Sequence, residues 1–164
     1  MSSSNQNNTQ TLLRLLPLLT STASLTFAGN QHWIFRLFSR PDLQPQSGAA
    51  LPSWFAASFR IGMPKVVGLL TASMVGAAWN AATTSQTGAA RRWYVAGGVL
   101  AGAHLLFVPA VAPRVRGIVE ATTGAESIRE LKGWLRVNAV RTLSVDLGAW
   151  LCFVVGAVKA LGPL

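Results

Sequence analysis

The stretch Glu130-Leu-Lys-Gly-Trp-Leu-Arg-Val-Asn-Ala-Val-Arg141 runs directly into Thr142-Leu-Ser-Val-Asp-Leu-Gly-Ala-Trp-Leu-Cys-Phe-Val-Val-Gly-Ala-Val158. The second half is long, apolar and rich in small residues, which is typical of a helix that crosses a bilayer. At about 100° per residue, one stripe of this helix carries Trp134, Asn138, Arg141, Val145, Gly148 and Cys152. A guanidinium and an amide at the mouth of a membrane helix are costly unless they face protein, water or headgroups. The stripe therefore indicates the inside of a helix bundle, or its rim.

The composition of the whole chain favours the same class of protein. Of the 164 residues, 51% are hydrophobic and only 12% are charged, and the mean hydropathy is +0.39. An ordinary soluble domain carries about 25% charged residues. We therefore predict a single all-α domain, an integral membrane four-helix bundle whose helices pack against each other inside lipid.

The charge and the cysteine count exclude several classes of function. The formal net charge is +9, but the basic residues are scattered between apolar blocks and form no polybasic patch interleaved with aromatic residues, so we expect no nucleic-acid partner. A single cysteine, Cys152, excludes a disulfide within the chain and a cysteine-based metal site. We expect no metal site.

Four apolar segments divide the chain. Residues 1–11 are polar and uncharged, which predicts a disordered tail. The remaining residues, 12–164, form the predicted membrane domain, with spans at about 12–36, 62–82, 93–112 and 136–159. Prolines and a glycine predict a loop from Asp42 to Pro52. The segment Thr83 to Gly88 is predicted to be a polar turn. The pattern Ser127-x-x-Glu130 predicts a cap at the start of the last helix.

The basic residues predict the orientation of the bundle. The first and third connections hold most of them, so the positive-inside bias places these connections in the cytosol and both termini on the opposite side. We expect a multi-pass protein of the endoplasmic reticulum or another endomembrane. Polar side chains then gather at the cytosolic mouth, which makes this mouth the candidate site: His32, Arg60, Asn138 and Arg141.

Each of these polar residues also has a structural interpretation. His104, in the third span, is a candidate base or an interhelical hydrogen-bond partner. Arg141 is a candidate ligand-binding cation or the partner of a carboxylate. Asp146 lies five residues further on, about 140° around a regular helix, so we predict that Asp146 faces another helix or water, with Arg60 as its candidate partner.

The motif Trp134-Leu-Arg-Val-Asn138-Ala-Val-Arg141 resembles the W-x-x-x-N-x-x-R signature of the anthrone oxygenase family, which consists of small four-span proteins of fungal polyketide pathways. Two other segments agree in position: Phe59-Arg60-Ile61-Gly62-Met63-Pro64 at the second span, and Pro109 with Ala112-Pro113 closing the third. The resemblance extends from about Leu12 to Val158.

The resemblance implies a membrane-bound oxygenase that needs no cofactor and acts on a hydrophobic polyketide-type intermediate. A base removes a proton from an activated CH₂, donors hold the enolate, and O₂ attacks the carbanion, so the substrate itself supplies the electrons. On this interpretation His104 or His32 is the base, and Arg141 and Asn138 hold the oxyanion. Arg60, Trp134 and Phe59 contact the substrate. The implied partners are the substrate, O₂, the bilayer and pathway enzymes.

Three other functions stay open. A related enzyme could use the same base and donors for isomerisation or cyclisation of a polyketide or terpenoid intermediate. A non-catalytic subunit could instead organise pathway enzymes in the membrane. Transport is disfavoured, because the spans lack a file of ionisable groups and a recognisable inverted repeat.

Overall fold

The computed structural model describes residues 2–83 and 88–162, and over these residues the chain is helical, without a strand. The helices are α1 (Ser2–Leu37), α2 (Gln44–Thr83), α3 (Gly88–Ala103), α4 (Val108–Val119), α5 (Gly124–Arg141) and α6 (Leu147–Leu161). A 3₁₀ turn, His104–Phe107, joins α3 to α4, and a π-helical turn, Thr142–Asp146, joins α5 to α6. The chain therefore forms four long rods, two of which contain one irregular turn each.

The four rods confirm the predicted all-α four-helix bundle. Each rod contains a segment long and apolar enough to cross a membrane: Gln6–Leu37, Gln46–Thr83, Gly88–Val119 and Gly124–Leu161. These segments have 32, 38, 32 and 38 residues, and a helix of about 20 residues already spans the hydrocarbon core. The rods are therefore longer than the predicted spans, and each is long enough to extend past the apolar layer.

Two predicted irregular segments are helical in the structure. The polar stretch that we expected to be disordered continues α1 to Ser2, where the Thr11 hydroxyl donates to the carbonyl oxygen of Asn7 at 3.0 Å. The predicted loop from Asp42 to Pro52 is also wrong, because α2 already begins at Gln44. Pro52 lies inside α2. Proline is tolerated inside transmembrane helices because neighbouring helices compensate for the missing N–H. Residues 84–87 of the predicted polar turn lie outside the described residues.

Local chemistry sets the ends of the rods. Arg40 precedes Pro41 and has extended backbone angles (φ −70°, ψ 132°), as a residue before proline prefers, so α1 cannot continue into α2. The N-cap of α5 is Thr123, whose side chain accepts from the backbone N–H of Glu126 at 3.3 Å. The predicted cap at Ser127 is wrong. Its hydroxyl instead donates to the carbonyl oxygen of Ile118, which ties α5 to α4.

Small residues allow the rods to approach closely. A Cβ added at Gly97 would clash with the ring of Phe153 on α6, and one added at Gly98 would lie 3.2 Å from Ala77 on α2. Close approach of α3 to α6 and to α2 therefore depends on the absence of a side chain at these two glycines.

Two apolar clusters fill the two ends of the bundle. One contains the aromatic residues Phe35, Phe55 and Trp134 with five aliphatic neighbours, and the other is built around Tyr94 and Phe153. Asn80 is buried near the second cluster and donates to the carbonyl oxygen of Leu13 at 2.8 Å, so it crosslinks α1 and α2. The polar residues of the candidate site lie between the two clusters.

Candidate active site

His104 lies where the third rod is irregular. In a regular helix the carbonyl oxygen of Leu105 would accept from residue 109, but Pro109 has no N–H. The backbone N–H of Val108 donates to Leu105 instead, which closes the tighter 3₁₀ turn that begins at His104. The imidazole is about nine-tenths buried and points into the bundle. Proline chemistry therefore places this histidine inside the bundle.

Asp146 reaches the same place through the π-helical turn. The backbone N–H of Leu147 donates to the carbonyl oxygen of Thr142, five residues back, which is the π pattern. The hydroxyl of Ser144 donates to the carbonyl oxygen of Val140 at 2.6 Å, and such a bond competes with the regular helical partner of that carbonyl. The wider turn brings residues 141 and 146 to one face of the helix.

A chain of three buried polar side chains results. Arg141 Nε donates to Asp146 Oδ2 at 3.1 Å, and His104 Nδ1 lies 2.8 Å from Asp146 Oδ1. The side chains of all three residues are only 9–11% exposed. Because an ionised carboxylate only accepts, Nδ1 of His104 carries the proton of this hydrogen bond, and Nε2 is left to meet a ligand. This order, in which a carboxylate orients an imidazole, is the one used to prepare a histidine for proton transfer.

The chain of polar groups borders an apolar cavity. His104 and Arg141 line a cavity of about 180 Å³, whose other walls are apolar apart from Gln31 of α1 and come mainly from α2, the 3₁₀ turn, α4 and α5. Phe59 and Trp134, which we predicted to contact substrate, line this same cavity. In an apolar site of this kind, hydrogen bonds to a ligand act more strongly than in water.

A second cavity continues the first along the groove between α2 and α4. It measures about 420 Å³ and ends at Arg116 and Glu120. Four apolar residues line both cavities: Phe59, Met63, Val108 and Val111. Together the two cavities form one apolar groove, which starts at the buried polar chain and runs along the outside of the bundle.

The other predicted site residues lie elsewhere. His32 and Asn138 line a third cavity of about 260 Å³ between α1 and the junction of α5 with the π turn, here called the outer pocket; Gly29, Trp33 and Thr142 also line it. Arg60 is exposed and is not part of the cavity that holds His104. The structure thus brings His104, Arg141, Trp134 and Phe59 together and separates them from His32, Asn138 and Arg60.

Sequence reasoning missed Asp146 as a site residue. The expectation that Asp146 faces another helix is confirmed, because its carboxylate contacts His104 on the third rod. The expected separation from Arg141 and the expected partner Arg60 are wrong, because Arg141 also holds the carboxylate. A carboxylate inside an otherwise apolar span was itself the available signal, since such groups are costly and functional by default. Among the residues that the structure describes, no group of three or more His, Cys, Asp or Glu side chains could hold a metal ion.

Comparison with known proteins assigns the chain to a family. It is 33% identical over 153 residues to epoxidase pydX of Acremonium sp and 35% identical over 160 residues to epoxidase gkaX of Penicillium citrinum. It is 30% identical over 159 residues to probable epoxidase scpX of Mollisia scopiformis. Each alignment covers 92% of this chain and at least 94% of the relative.

None of these three relatives is named an anthrone oxygenase. No protein-family model matches the chain, and no solved structure does. Identities of 30–35% over nearly the whole of both chains are decisive all the same: the chain belongs to the same family as these fungal epoxidases.

Proposed function

We propose that the protein is a membrane-embedded epoxidase of fungal secondary metabolism, which adds one oxygen atom to a carbon–carbon double bond of an apolar intermediate. The observation that carries this proposal is the buried chain Arg141–Asp146–His104 at the inner end of an apolar groove. The names of the relatives supply the reaction type.

The reaction sets requirements that the cavity can meet. When O₂ is the oxidant, one oxygen atom enters the epoxide and the other leaves as water, and a two-electron reductant from outside the chain supplies the electrons. Two protons are consumed as water forms. His104 Nε2 is available to deliver or accept a proton, because Asp146 occupies Nδ1. Arg141 donates from Nε to Asp146 and has further N–H donors for a carbonyl or oxyanion of the substrate.

The groove favours an elongated substrate with one polar group. Its shared walls, Phe59, Met63, Val108 and Val111, are apolar, His104 and Arg141 lie at the inner end, and the ion pair Arg116–Glu120 lies at the outer end. The polar group of the substrate would lie at His104 and Arg141, and its apolar length would follow α2 and α4. Such a substrate partitions into lipid, so a bilayer around the bundle would deliver it to the open side of the groove.

The same features support a proposal for the location. Four apolar rods support a multi-pass membrane protein, and the basic connections favour cytosolic exposure of the α1–α2 and α4–α5 turns. We propose an endomembrane such as the endoplasmic reticulum, with both termini away from the cytosol and with pathway enzymes as partners.

Oxidation of an anthrone-type CH₂ is the second candidate. The specific observation that favours it is the oriented imidazole beside a cation, which suits removal of a proton and retention of an enolate. In that reaction the substrate supplies the electrons. An isomerase or cyclase would use the same imidazole and the same cation without O₂. A scaffold would need neither group.

One assay separates these functions. Microsomes that contain the protein would receive a panel of apolar polyenes and emodin anthrone, a reduced nicotinamide donor, and ¹⁸O₂. For the epoxidase we expect an epoxide product that contains one ¹⁸O atom from ¹⁸O₂ and whose formation depends on the reductant. In a parallel reaction with H₂¹⁸O and unlabelled O₂, the product should contain no ¹⁸O. Product without added reductant and only from the anthrone supports the second candidate, and product without O₂ supports the isomerase.

Variants connect the activity to the site. His104→Gln should abolish turnover while the protein stays in the membrane at its normal amount. Arg141→Gln should also abolish turnover, and because it breaks the buried pair with Asp146, its activity is compared per amount of folded protein. Arg60→Gln is the matched control, because Arg60 is exposed and outside the cavity. Absence of product with the whole panel, or equal losses in all three variants, would contradict a catalytic role for the cavity.

A further inference from the structure

We propose that the outer pocket binds a membrane amphiphile that carries a hydroxyl or amide N–H donor beside an apolar body. The pocket lies between α1 and the junction of α5 with the π turn, and nothing in the proposed epoxidation uses it. This inference rests on the proposed membrane location, but it does not depend on the reaction.

Two unpartnered polar atoms point to a ligand. Within residues 2–83 and 88–162, the buried side-chain atoms without a hydrogen bond are Asn138 Oδ1 and Thr142 Oγ1, and both residues line the outer pocket. Asn138 is only 2% exposed. Four residues apart, the two side chains are neighbours on one face of the rod. Buried polar atoms in folded proteins almost always have a hydrogen-bond partner, so we expect a molecule outside the chain to supply the partner of these two atoms.

The chemistry of the two atoms defines the partner. The amide oxygen of Asn138 only accepts, and the Thr142 hydroxyl accepts or donates. A ligand that satisfies both must therefore bring at least one O–H or N–H donor. Phosphatidylcholine has no such donor, whereas a sterol and phosphatidylglycerol each carry a hydroxyl. The pocket should therefore discriminate between lipids by their donors.

The walls of the pocket suit the rest of an amphiphile. Ala28, Gly29 and Leu143 provide a small apolar surface, and Trp33 stands at the edge. A Cβ added at Gly29 would have no atom within 4 Å, so the space beside α1 is open. Leu143 and Trp33 are 71% and 73% exposed, which shows that the pocket opens to the surroundings of the bundle.

Cationic side chains continue the pocket along α1. His32 and Trp33 also line a groove of about 310 Å³ whose further walls are Arg36, Leu37 and Arg40. Arg40 is held by Asp42, but Arg36 faces the groove beside His32. An anionic headgroup would lie against Arg36, whereas a sterol would leave this part of the groove to water. The anionic phospholipid and the sterol both carry a hydroxyl donor, but only the phospholipid headgroup would use the cationic groove.

The test measures how many lipid molecules the purified full-length protein retains in native mass spectrometry. The protein would be reconstituted in phosphatidylcholine alone, and with added phosphatidylglycerol or added 3-hydroxysterol. A hydrogen bond is worth about a fivefold difference in affinity, so we expect at least about fivefold more retention of one hydroxyl-bearing lipid than of phosphatidylcholine. Preference for phosphatidylglycerol identifies the anionic source, and preference for the sterol identifies the neutral one.

Three variants assign the retention to the pocket. Gly29→Leu fills the open space, and Thr142→Val removes a hydroxyl at nearly constant volume; each should reduce the preference to near parity. Gly68→Leu is the control, because Gly68 is exposed, has no atom within 4 Å of an added Cβ and lies outside the pocket. Each variant must elute as one species whose melting temperature in phosphatidylcholine is no lower than that of the unaltered protein.

Two results would overturn the inference: parity in the unaltered protein, as expected if water fills the pocket, and a preference that survives Gly29→Leu and Thr142→Val. Carbonate extraction of the membranes is the separate check on location. A protein that carbonate releases contradicts the proposed membrane location, whereas a retained protein with no lipid preference contradicts the outer-pocket site alone.

Discussion

Arg141 and Asp146 are five residues apart in the chain, and the guanidinium Nε of Arg141 donates to Asp146 Oδ2 at 3.1 Å. A regular α-helix would separate these side chains by about 140°. The π turn from Thr142 to Asp146 removes this separation. The same turn brings Asp146 within 2.8 Å of His104 on the neighbouring rod. The π turn therefore keeps on one face two side chains that a regular helix with the same number of residues would separate.

The carboxylate of Asp146 should be required for both folding stability and activity. Asp146→Asn leaves Arg141 without an anionic partner in a site where the side chains are only 9–11% exposed. Loss of one member of a buried ion pair costs about 3–5 kcal/mol, so we expect a lower unfolding temperature in detergent and no turnover. Asp42→Asn is the control, because its pair with Arg40 is exposed, and it should leave both measurements unchanged. Equal stability of the Asp146→Asn variant and the unaltered protein would contradict a structural role for the pair.

Deletion of Ser144 should convert the π turn into regular α-helix. Because a π turn is one residue added to a helix, removal of that residue keeps α6 on its present face and makes Arg141 and Asp146 neighbours four apart. We expect the deletion to cost no more than about 1 kcal/mol, since Ser144 is exposed. Deletion of Leu151, in the regular part of α6, would rotate the buried Phe153 by about 100° and cost several times more. Chemical or thermal unfolding of the two deletions side by side measures the difference, and similar losses would contradict the added-residue interpretation.

Gly97 should tolerate no side chain. A Cβ at this position would lie 2.6 Å from Cδ1 of Phe153, and the ring is fully buried. Overpacking of a core costs about 1–3 kcal/mol, so Gly97→Ala should lower the unfolding temperature. Gly68→Ala faces open space and should raise it slightly, because alanine favours the helix by about 1 kcal/mol over glycine. A stabilising Gly97→Ala variant would show that α3 and α6 pack less closely than the structure has them.

A bulky residue in the groove should select against long substrates. Val108 lines both cavities and is 52% exposed, so Val108→Trp can narrow the groove without disturbing the core. We expect kcat/KM for long substrates to fall about tenfold, which corresponds to about 1.4 kcal/mol, while short substrates are little affected. Val99→Trp, at an exposed position of α3 outside the groove, should change neither. If Val108→Trp lowers kcat/KM equally for short and long substrates, the groove does not bind the long apolar part of the substrate.

Much of the fold could be predicted because hydropathy is local. Four apolar segments and their polar ends predicted four rods, and the stripe with Trp134 and Arg141 predicted an inward face. The boundaries were less accurate. The prolines between residues 41 and 52 predicted a loop, yet Pro52 lies inside α2 because packing of the rods offsets one missing hydrogen bond.

The candidate site was predicted in part. The sequence by itself determined that His104 and Arg141 are polar groups in apolar spans, which must face protein to offset their cost. Only the tertiary structure decided that Asp146 joins them, while Asn138 and His32 face the outer pocket instead. The reason is geometric: a count of 100° per residue assumes a regular helix, and the 3₁₀ and π turns that re-aim these side chains depend on Pro109, on the Ser144 hydroxyl and on the partners that the facing rods provide.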